Sequence, residues 1–287
     1  MSKGLVTVVG ATGTHGRSIA TRLLKAGWRV RGLCRNTSND PANSLRALGA
    51  ELVSADLDKP DNVNAAIKGS DAVISIIASL QNKFDIGQAT QGIHVAEAAA
   101  LADVKHFVYS SVLAPRPGIL GHGSKIAIAE RIRELGLPAT LLHPSFFMEN
   151  LLTHFAAKVE NGAVIVALPF PPTTRLELVA VDDIARAAEV VLNAPGDYIG
   201  KNLDLISDEK TVQEIMDIIG RVTGKPVVPV QIPLEGLAQG WPQGVPMLKM
   251  LTKGERHGDA GVLKKLIGTP TDFASWVKTN LVPRLTG

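Results

Sequence analysis

The stretch that decides the fold is LVTVVGATGTHG, residues 5–16. It begins with an apolar, β-branched run typical of a buried strand and continues into a loop that contains three glycines. The helical pattern Ser18–Ala26 follows, Gly27 closes it as a left-handed cap would, and Trp28–Cys34 has the composition of a second strand. Strand, glycine loop, helix and strand in this order predict a βαβ unit with two parallel strands.

The same alternation continues as far as residue 143. The further predicted helices are Ser44–Leu48, Val63–Lys68, Ile86–Ala102 and Ser124–Leu135. The further predicted strands are Glu51–Ala55, Asp71–Ile77, His106–Val112 and Ala139–His143. Because these strands are apolar without alternation, we expect helices on both faces of a parallel sheet, which is the doubly wound, Rossmann-type α/β architecture.

The pattern changes after residue 150. We therefore predict a Rossmann domain at residues 1–150 and a smaller α/β region at residues 151–287, which packs on it and faces a substrate or a partner. The elements predicted in the second region are a helix at Leu151–Glu160, a strand at Ala163–Leu168, a loop at Pro229–Pro246, and a helix that begins with the capping box Thr211 and Glu214.

Composition and charge exclude several classes of protein. The 30 basic and 27 acidic residues are scattered singly, so no nucleic-acid surface is predicted. The single cysteine, Cys34, cannot form an internal disulfide, which favours a reducing compartment. No apolar run approaches the roughly 18 residues of a membrane helix, and the first residues lead directly into a strand. We expect a soluble, untargeted, cytoplasmic protein, with a nuclear location as the alternative.

The glycine loop has the residues that a bound pyrophosphate requires. Gly10 permits a tight bend, Gly13 lets the backbone approach a phosphate, and Gly16 lets the helix pack on the strand. The amides at the helix N-terminus then face the pyrophosphate, and the alternative is that the glycines serve turn geometry alone. The predicted cofactor contacts in this loop are Gly10, Thr12, Gly13, Thr14, His15 and Gly16.

The end of the second strand indicates which dinucleotide is bound. An acidic residue there would bind the ribose hydroxyls of NAD and repel a 2′-phosphate, but the chain has Cys34 followed by Arg35. A guanidinium suits a phosphate, so NADP(H) is the predicted cofactor, and the alternative is a solvated surface arginine. His15 and Arg17 either add positive charge near the loop or lie exposed.

Two further strand ends are expected to contact the cofactor. Asp56 and Leu57 follow the third strand, where they are predicted to bind the adenine ring, although Asp56 has an ordinary turn aspartate as its alternative. Ala78 and Ser79 follow the fourth strand, at the edge of the sheet where open α/β folds bind ligands.

These residues, taken in order, resemble the NmrA-like family of atypical short-chain dehydrogenases and reductases. The segments that carry the resemblance are the loop 10–16, Arg35, Asp56-Leu57, HFVYSS at 106–111, HPSFFMEN at 143–150, VDDIAR at 181–186 and TPTDF at 269–273. The resemblance implies an NADP(H)-binding Rossmann body with a small C-terminal region. It also implies one of two functions, a reductase or a catalytically silent sensor that regulates a partner protein.

The catalytic residues are less clear from the sequence. The wider dehydrogenase family uses a Tyr-x-x-x-Lys pair, in which the lysine lowers the pKa of the tyrosine. Lys125 matches the lysine, but Gly121 stands in the position of the tyrosine. The resemblance implies that Lys125 hydrogen-bonds the nicotinamide ribose. The substitute proton donors that we predict are Tyr109, Ser110, Ser111 and His122, each of which has a core or solvent position as its alternative.

A possible pocket follows the predicted sixth strand. Pro144 and Ser145 fall where the nicotinamide carboxamide is expected. An apolar substrate pocket is predicted from Phe146, Phe147, Met148 and Trp241, with core packing as the alternative, and Phe170 and Trp241 are candidates for a lid. No metal site is predicted.

Two functions are compatible with these residues. The first is an NADPH-dependent reductase of a small apolar carbonyl, quinone or activated alkene, which takes its proton from His122, Tyr109 or water. The second is a sensor whose surface for a regulatory protein partner changes with NADP(H) binding and which has no turnover. The apolar segment after the nicotinamide position favours the reductase.

Overall fold

A computed structural model describes residues 3–77, 86–117, 119, 122–240, 245–254 and 258–286. The strands are β1 Leu5–Val9, β2 Arg29–Cys34, β3 Glu51–Ser54, β4 Ala72–Ser75, β5 His106–Ser110, β6 Ala139–Pro144, β7 Phe146–Phe147, β8 Lys158–Glu160, β9 Ala163–Leu168, β10 Arg175–Val179, β11 Asn202–Leu205, β12 Asp208–Thr211 and β13 Val227–Gln231.

The helices begin and end close to the turn and cap residues in the sequence. They are α1 Thr14–Lys25, α2 Asp40–Ala47, α3 Pro60–Ile67, α4 Ile86–Leu101, α5 His122–Glu134, α6 Val181–Asn193, α7 Pro195–Tyr198, α8 Val212–Thr223, α9 Leu234–Gly240, α10 Val245–Thr252, α11 Ala260–Ile267, α12 Phe273–Trp276 and α13 Val282–Thr286, with a 3₁₀ helix at Met148–Leu152 and a π-helical turn at Val277–Leu281. None of the described helices is long and apolar enough to span a membrane.

The main sheet has seven parallel strands in the order β11-β6-β5-β4-β1-β2-β3. Strand β1 lies between β2 and β4, where Val6 is in register with Val30 of β2 on one side and with Ala72 of β4 on the other. The chain order therefore reverses beside β1, and the crevice outside the carboxyl ends of the strands at such a reversal is where doubly wound folds bind ligands. The predicted Rossmann-type architecture is confirmed.

The core explains why apolar and polar residues do not alternate along these strands. All five residues of β1 and of β5 are buried, because helices cover both faces of the sheet. One cluster joins apolar side chains from the sheet to helices, among them Val9, Phe107 and Tyr109 from strands and Val95 and Ile128 from α4 and α5. Burial of each such side chain stabilises the fold by about 1.5–3 kcal/mol.

The contacts divide the chain into two compact units whose limits differ from the predicted boundary after residue 150. The first unit contains residues 1–143 and 184–203, and the second contains residues 144–183 and 204–287. The difference arises because the chain returns to the first unit with most of α6 and with the start of β11, which adds an edge strand next to β6. The sequence pattern contains no signal for this return.

The second unit contains two three-stranded sheets, with the orders β12-β10-β7 and β13-β9-β8. The prediction of a helix at Leu151–Glu160 is wrong, since a 3₁₀ helix ends at Leu152 and β8 pairs antiparallel with β9. Asn161 and Gly162 connect these strands with positive φ angles of 50° and 79°. Asn-Gly is the preferred pair for such a two-residue hairpin, so the signal was present in the sequence.

The predicted loop at Pro229–Pro246 is also wrong over much of its length, because it contains most of β13, the whole of α9 and the start of α10. Pro229 is tolerated in β13 because that strand lies at the edge of its sheet, where a missing N–H interrupts no ladder on the open side. The predicted capping box is confirmed: Thr211 Oγ1 accepts from Glu214 N, and the Glu214 carboxylate accepts from Thr211 N.

Candidate functional site

The glycine loop between β1 and α1 is held by its own backbone. The amides of Gly10 and Ala11 both donate to the carbonyl of Leu33 in β2, at 3.1 and 3.2 Å. Gly10 has φ +74°, and a Cβ there would lie 2.9 Å from the carbonyl oxygen of Ile76. A Cβ at Gly16 would lie 2.8 Å from the carbonyl carbon of Gly10. Both glycines are therefore required by the packing of the loop itself.

Gly13 differs from the other two glycines, because none of the described residues around it requires a glycine at this position. A Cβ at this position would meet Gly10 O at an ordinary 3.5 Å, and the residue is exposed. Gly13 is also the N-cap of α1, where no side chain caps the helix and the first turn contains no acidic residue. A helix N-terminus without an acidic cap is the kind of site that binds an anion, and the approach of a phosphate to Gly13 stays a prediction.

Arg35 lies directly after β2 and is exposed, and its guanidinium has no partner within the part of the chain that the structure describes. The segment around it is anchored from both sides. The buried Cys34 thiol, whose pKa is raised by burial, donates to Asn36 O at 3.3 Å. Arg46 of α2 donates to Thr37 O at 2.7 Å. A free guanidinium on a fixed turn is suited to a phosphate.

The turn after β3 matches the alternative interpretation of Asp56. One oxygen of its carboxylate accepts from the amide of Asp58 at 3.0 Å, and the other lies 3.9 Å from the ammonium of Lys59. Leu57 is partly buried and packs against the core cluster of the first unit. Both residues therefore shape this turn, and a contact of either with adenine stays a prediction.

Lys125, in the first turn of α5, reaches the carboxyl end of β4. Its ammonium donates to the carbonyl of Ile77 at 3.1 Å and lies 5.7 Å from the ring centroid of Tyr109. Burial lowers the pKa of Lys125 to about 8. The structure thus places a poorly hydrated cation at the edge of the sheet where the fold binds ligands.

His15 is neither exposed nor positively charged, contrary to both expectations for it. The side chain is buried, and burial together with the charge of Lys125 lowers the pKa of His15 to about 4. The imidazole is therefore neutral at pH 7. A contact of His15 with the predicted pyrophosphate would come from its backbone amide in the first turn of α1. Arg17 is exposed, which is the second of the two positions predicted for it.

The predicted proton donors are buried. Tyr109 is 0% exposed on β5, where burial raises its pKa well above the usual value and the hydroxyl lies near Ser111. Ser110 and Ser111 are also buried. His122 is the first residue of α5 and is buried as well, with Nδ1 accepting from the amide of Arg116 at 3.1 Å. The core position that was the alternative for Tyr109 is the one observed.

Four of the predicted site positions, Ala78, Ser79, Gly121 and Trp241, lie outside the described residues.

The second unit holds the residues predicted for the nicotinamide and the substrate. Pro144 and Ser145 are buried, and Ser145 N donates to Leu205 O at 3.2 Å. Among the described residues, Ser145 Oγ has no hydrogen-bond partner, although the residue is only 6% exposed. A buried hydroxyl without a hydrogen-bond partner costs free energy. A ligand group such as a carboxamide could supply that partner.

Aromatic residues cluster beside Ser145. Phe146 stacks on Phe155 with ring centroids 6.1 Å apart and meets Phe170 edge-on at 6.0 Å. Phe146 and Phe147 are half-buried, as a pocket wall would be, whereas Met148 is fully buried and belongs to the core. Phe170 is buried too, and its role in a lid stays a prediction. Phe155 was missed because the sequence pattern placed it inside a helix.

The family model for the NmrA-like family matches residues 2–266. The chain belongs to the NmrA-like family. It is 26% identical over 291 residues to an NAD(P)H azoreductase of Xenophilus azovorans, covering 99% of this chain and 93% of that protein.

Among solved structures, the fold of this NmrA-like chain is similar to NmrA, a negative transcriptional regulator, in complex with NADP. The TM-score is 0.82 at 18% identity, over 100% of this chain and 98% of that one. It is also similar to an NADPH-dependent quinone oxidoreductase of Escherichia coli complexed with NADPH. Here the TM-score is 0.77 at 25% identity, over 96% of this chain and 99% of that one.

Two polar residues at the site of this NmrA-like chain escaped the sequence reasoning. Gln88 of α4 donates through Nε2 to Ile77 O at 2.9 Å, and Ser124 of α5 donates to Gln88 Oε1 at 2.6 Å. The carbonyl of Ile77 thus accepts from both Gln88 and Lys125. The one signal in the sequence was a glutamine in a helix that is otherwise largely apolar, which does not by itself indicate a partner.

Proposed function

We propose that this chain binds NADP(H) and is an NADPH-dependent reductase of small apolar acceptors. The observation that carries the proposal is the ammonium of Lys125, held 3.1 Å from Ile77 O at the carboxyl edge of the sheet. It lies in the same unit as the uncapped N-terminus of α1 and the exposed Arg35. An open helix end and two cations are what a dinucleotide with a 2′-phosphate requires.

Three parts of the cofactor have residues suited to them within the first unit. The amides in the first turn of α1 would hold the pyrophosphate, and Arg35 the 2′-phosphate. Lys125 would hold the ribose next to the nicotinamide. When bound, NADPH supplies the hydride. The chain's own contribution is then to bind and orient, because positioning alone removes much of the entropic barrier of a two-component reaction.

The burial of the acids narrows the substrate class. Tyr109 and His122, the two predicted donors with a titratable group, are buried in the described part of the chain. A substrate that needs a positioned acid, such as a simple ketone, is therefore disfavoured. Quinones and activated alkenes delocalise the charge left after hydride addition, so water can supply the proton. The azoreductase and quinone oxidoreductase relatives support acceptors of this kind.

The proposal is tested by following NADPH consumption by the purified chain with two groups of acceptors. We expect turnover with quinones and conjugated enones and little with aliphatic ketones of similar size. Absence of consumption with every acceptor would contradict the reductase proposal. Equal rates with ketones and quinones would contradict the argument from the buried acids.

The similarity to NmrA favours a second candidate, an NADP(H) sensor that regulates a protein partner. NmrA is a negative transcriptional regulator, and the TM-score between its structure and this chain is 0.82. A chain with buried acids can bind the cofactor without consuming it. A sensor would bind NADP(H) tightly in titration calorimetry. The same sample would consume no NADPH in the assay with the acceptors above.

A further inference from the structure

Helix α4, Ile86–Leu101, carries a polar stripe on an otherwise largely apolar body. The stripe consists of Gln88, Gln91 and His94. Residues three apart in a helix lie on the same side, so all three fall within about one third of its circumference. All three side chains bond to the turns that follow β3 and β4, at the edge of the main sheet.

Gln88 acts on the turn after β4. Its amide donates to Ile77 O at 2.9 Å and accepts from Ser124 Oγ at 2.6 Å, and both side chains are 2% exposed. Ile77 O also accepts from the ammonium of Lys125. The direction in which this carbonyl points, and with it the position of the ammonium, therefore depends on Gln88.

Gln91 and His94 act on the turn after β3. Gln91 Nε2 donates to the Asp58 carboxylate at 3.0 Å. His94 Nδ1 lies 2.8 Å from Leu57 O, and since a carbonyl only accepts, Nδ1 must carry the proton. These two bonds hold the segment Asp56–Asp58, which is where the adenine is expected.

A glycine allows α4 to come close enough to α5 for the bond between Gln88 and Ser124. A Cβ at Gly92 would lie 2.5 Å from Cγ1 of Ile128, which is fully buried. Glycine within a helix costs about 1 kcal/mol relative to alanine, so its presence here has a packing reason. The close approach keeps the polar stripe in reach of both turns.

We propose that α4 is the positioning element of the cofactor site: Gln91 and His94 position the turn for the adenine half, and Gln88 positions the carbonyl that orients Lys125 at the nicotinamide half. The inference rests on the proposed NADP(H) binding, and it adds three residues that act through their bonds to Ile77, Asp58 and Leu57.

The test compares two ligands on single variants of the full chain. The ligand 2′,5′-ADP carries only the adenine half, whereas NADPH carries both halves. We expect Gln91→Ala to weaken both by a similar factor of about ten, which corresponds to about 1.4 kcal/mol. Gln88→Ala should leave 2′,5′-ADP within about twofold and weaken NADPH about tenfold. Titration calorimetry measures each dissociation constant.

Rescue at His94 separates positioning from packing. The amide nitrogen of asparagine can replace Nδ1 as a donor, so His94→Asn should retain most of the affinity for 2′,5′-ADP. His94→Leu keeps bulk but lacks the donor and should weaken 2′,5′-ADP about tenfold. Glu97→Ala is the matched control, because Glu97 lies on the same helix but pairs with Arg131 in a partly exposed ion pair. It should change neither ligand.

The outcomes distinguish the inference from the proposed function. If Gln88→Ala and Gln91→Ala weaken both ligands alike, or if His94→Leu behaves as His94→Asn does, the positioning role is overturned while NADP(H) binding stands. If the unsubstituted chain binds neither ligand, the proposed function is overturned and this inference with it.

Discussion

Gly16 packs directly against the carbonyl of Gly10, so that a Cβ at position 16 would lie 2.8 Å from the carbonyl carbon and closer still to its oxygen. The obstacle is backbone that is itself tied to Leu33 of β2. We therefore expect Gly16→Ala to destabilise the first unit by at least about 2 kcal/mol. Chemical denaturation measures this loss, and a variant as stable as the parent chain would contradict the packing described.

Gly13→Ala is the matched comparison within the same loop. Among the described residues the added methyl group meets no atom closer than 3.5 Å, and φ at this position is −74°, which alanine adopts without strain. We expect stability to change by less than about 1 kcal/mol, while NADPH affinity falls because the methyl group stands where the phosphate approaches. Unchanged affinity would mean that the phosphate does not bind at this helix end.

Arg35→Ala tests the choice of cofactor. Only NADPH carries the 2′-phosphate, so we expect its affinity to fall by about 10- to 100-fold while that for NADH stays nearly constant. Arg17→Ala is a control, because Arg17 is also exposed but lies on α1. Calorimetry with both dinucleotides decides the point, and equal losses for the two would rule out a phosphate contact at Arg35.

His106 should make the fold sensitive to acid. Its Nε2 donates to Thr140 Oγ1 at 2.8 Å, since that hydroxyl gives its own proton to Tyr198 O. Nδ1 is buried without a partner among the described residues. A second proton on the imidazole would therefore have no acceptor, and burial lowers the pKa of His106 to about 4.

The sign of the effect follows from linkage. The unfolded chain takes up a proton near pH 6.5 and the folded chain does not until about pH 4, so stability falls as the pH falls through this window. The loss amounts to about 3 kcal/mol at most for this residue. His106→Gln should flatten the decline, with the exposed His154→Gln as control. Denaturation midpoints at several pH values measure it, and parallel curves for the parent chain and His106→Gln would contradict the assignment.

Asp183 holds the C-terminal segment of the second unit. This carboxylate is 0% exposed and accepts from Ser207 Oγ, Thr271 N and Thr271 Oγ1 at 2.7, 2.7 and 3.1 Å. Asp183→Asn replaces one acceptor by a donor that faces other donors. We expect a loss of about 2–4 kcal/mol, measured as a lower unfolding temperature. Asp182→Asn, one residue earlier and exposed, should have little effect. Similar losses in both variants would contradict the role of Asp183.

An element can be predicted from the sequence when the residues that specify it lie close together along the chain. The strand, glycine loop and helix at residues 5–25 form as expected because apolar periodicity and glycine act within a few residues. The hairpin at Asn161-Gly162 is equally local, but the apolar residues before it also fit a helix. Short apolar runs fit both periods, and the turn residues should have decided between them.

The residues of the candidate site show the same dependence on distance along the chain. The sequence alone determined the Rossmann order of elements, the glycine loop and the candidate Arg35, because each depends on residue type and short spacing, whereas Lys125 was implied by the family resemblance. Only the tertiary structure decided that Tyr109 and His122 are buried, that residues 184–203 return to the first unit, and that α4 bonds to two turns. Periodicity determines which face of an element is buried. It does not determine which neighbour meets that face, because that depends on how all the elements pack together.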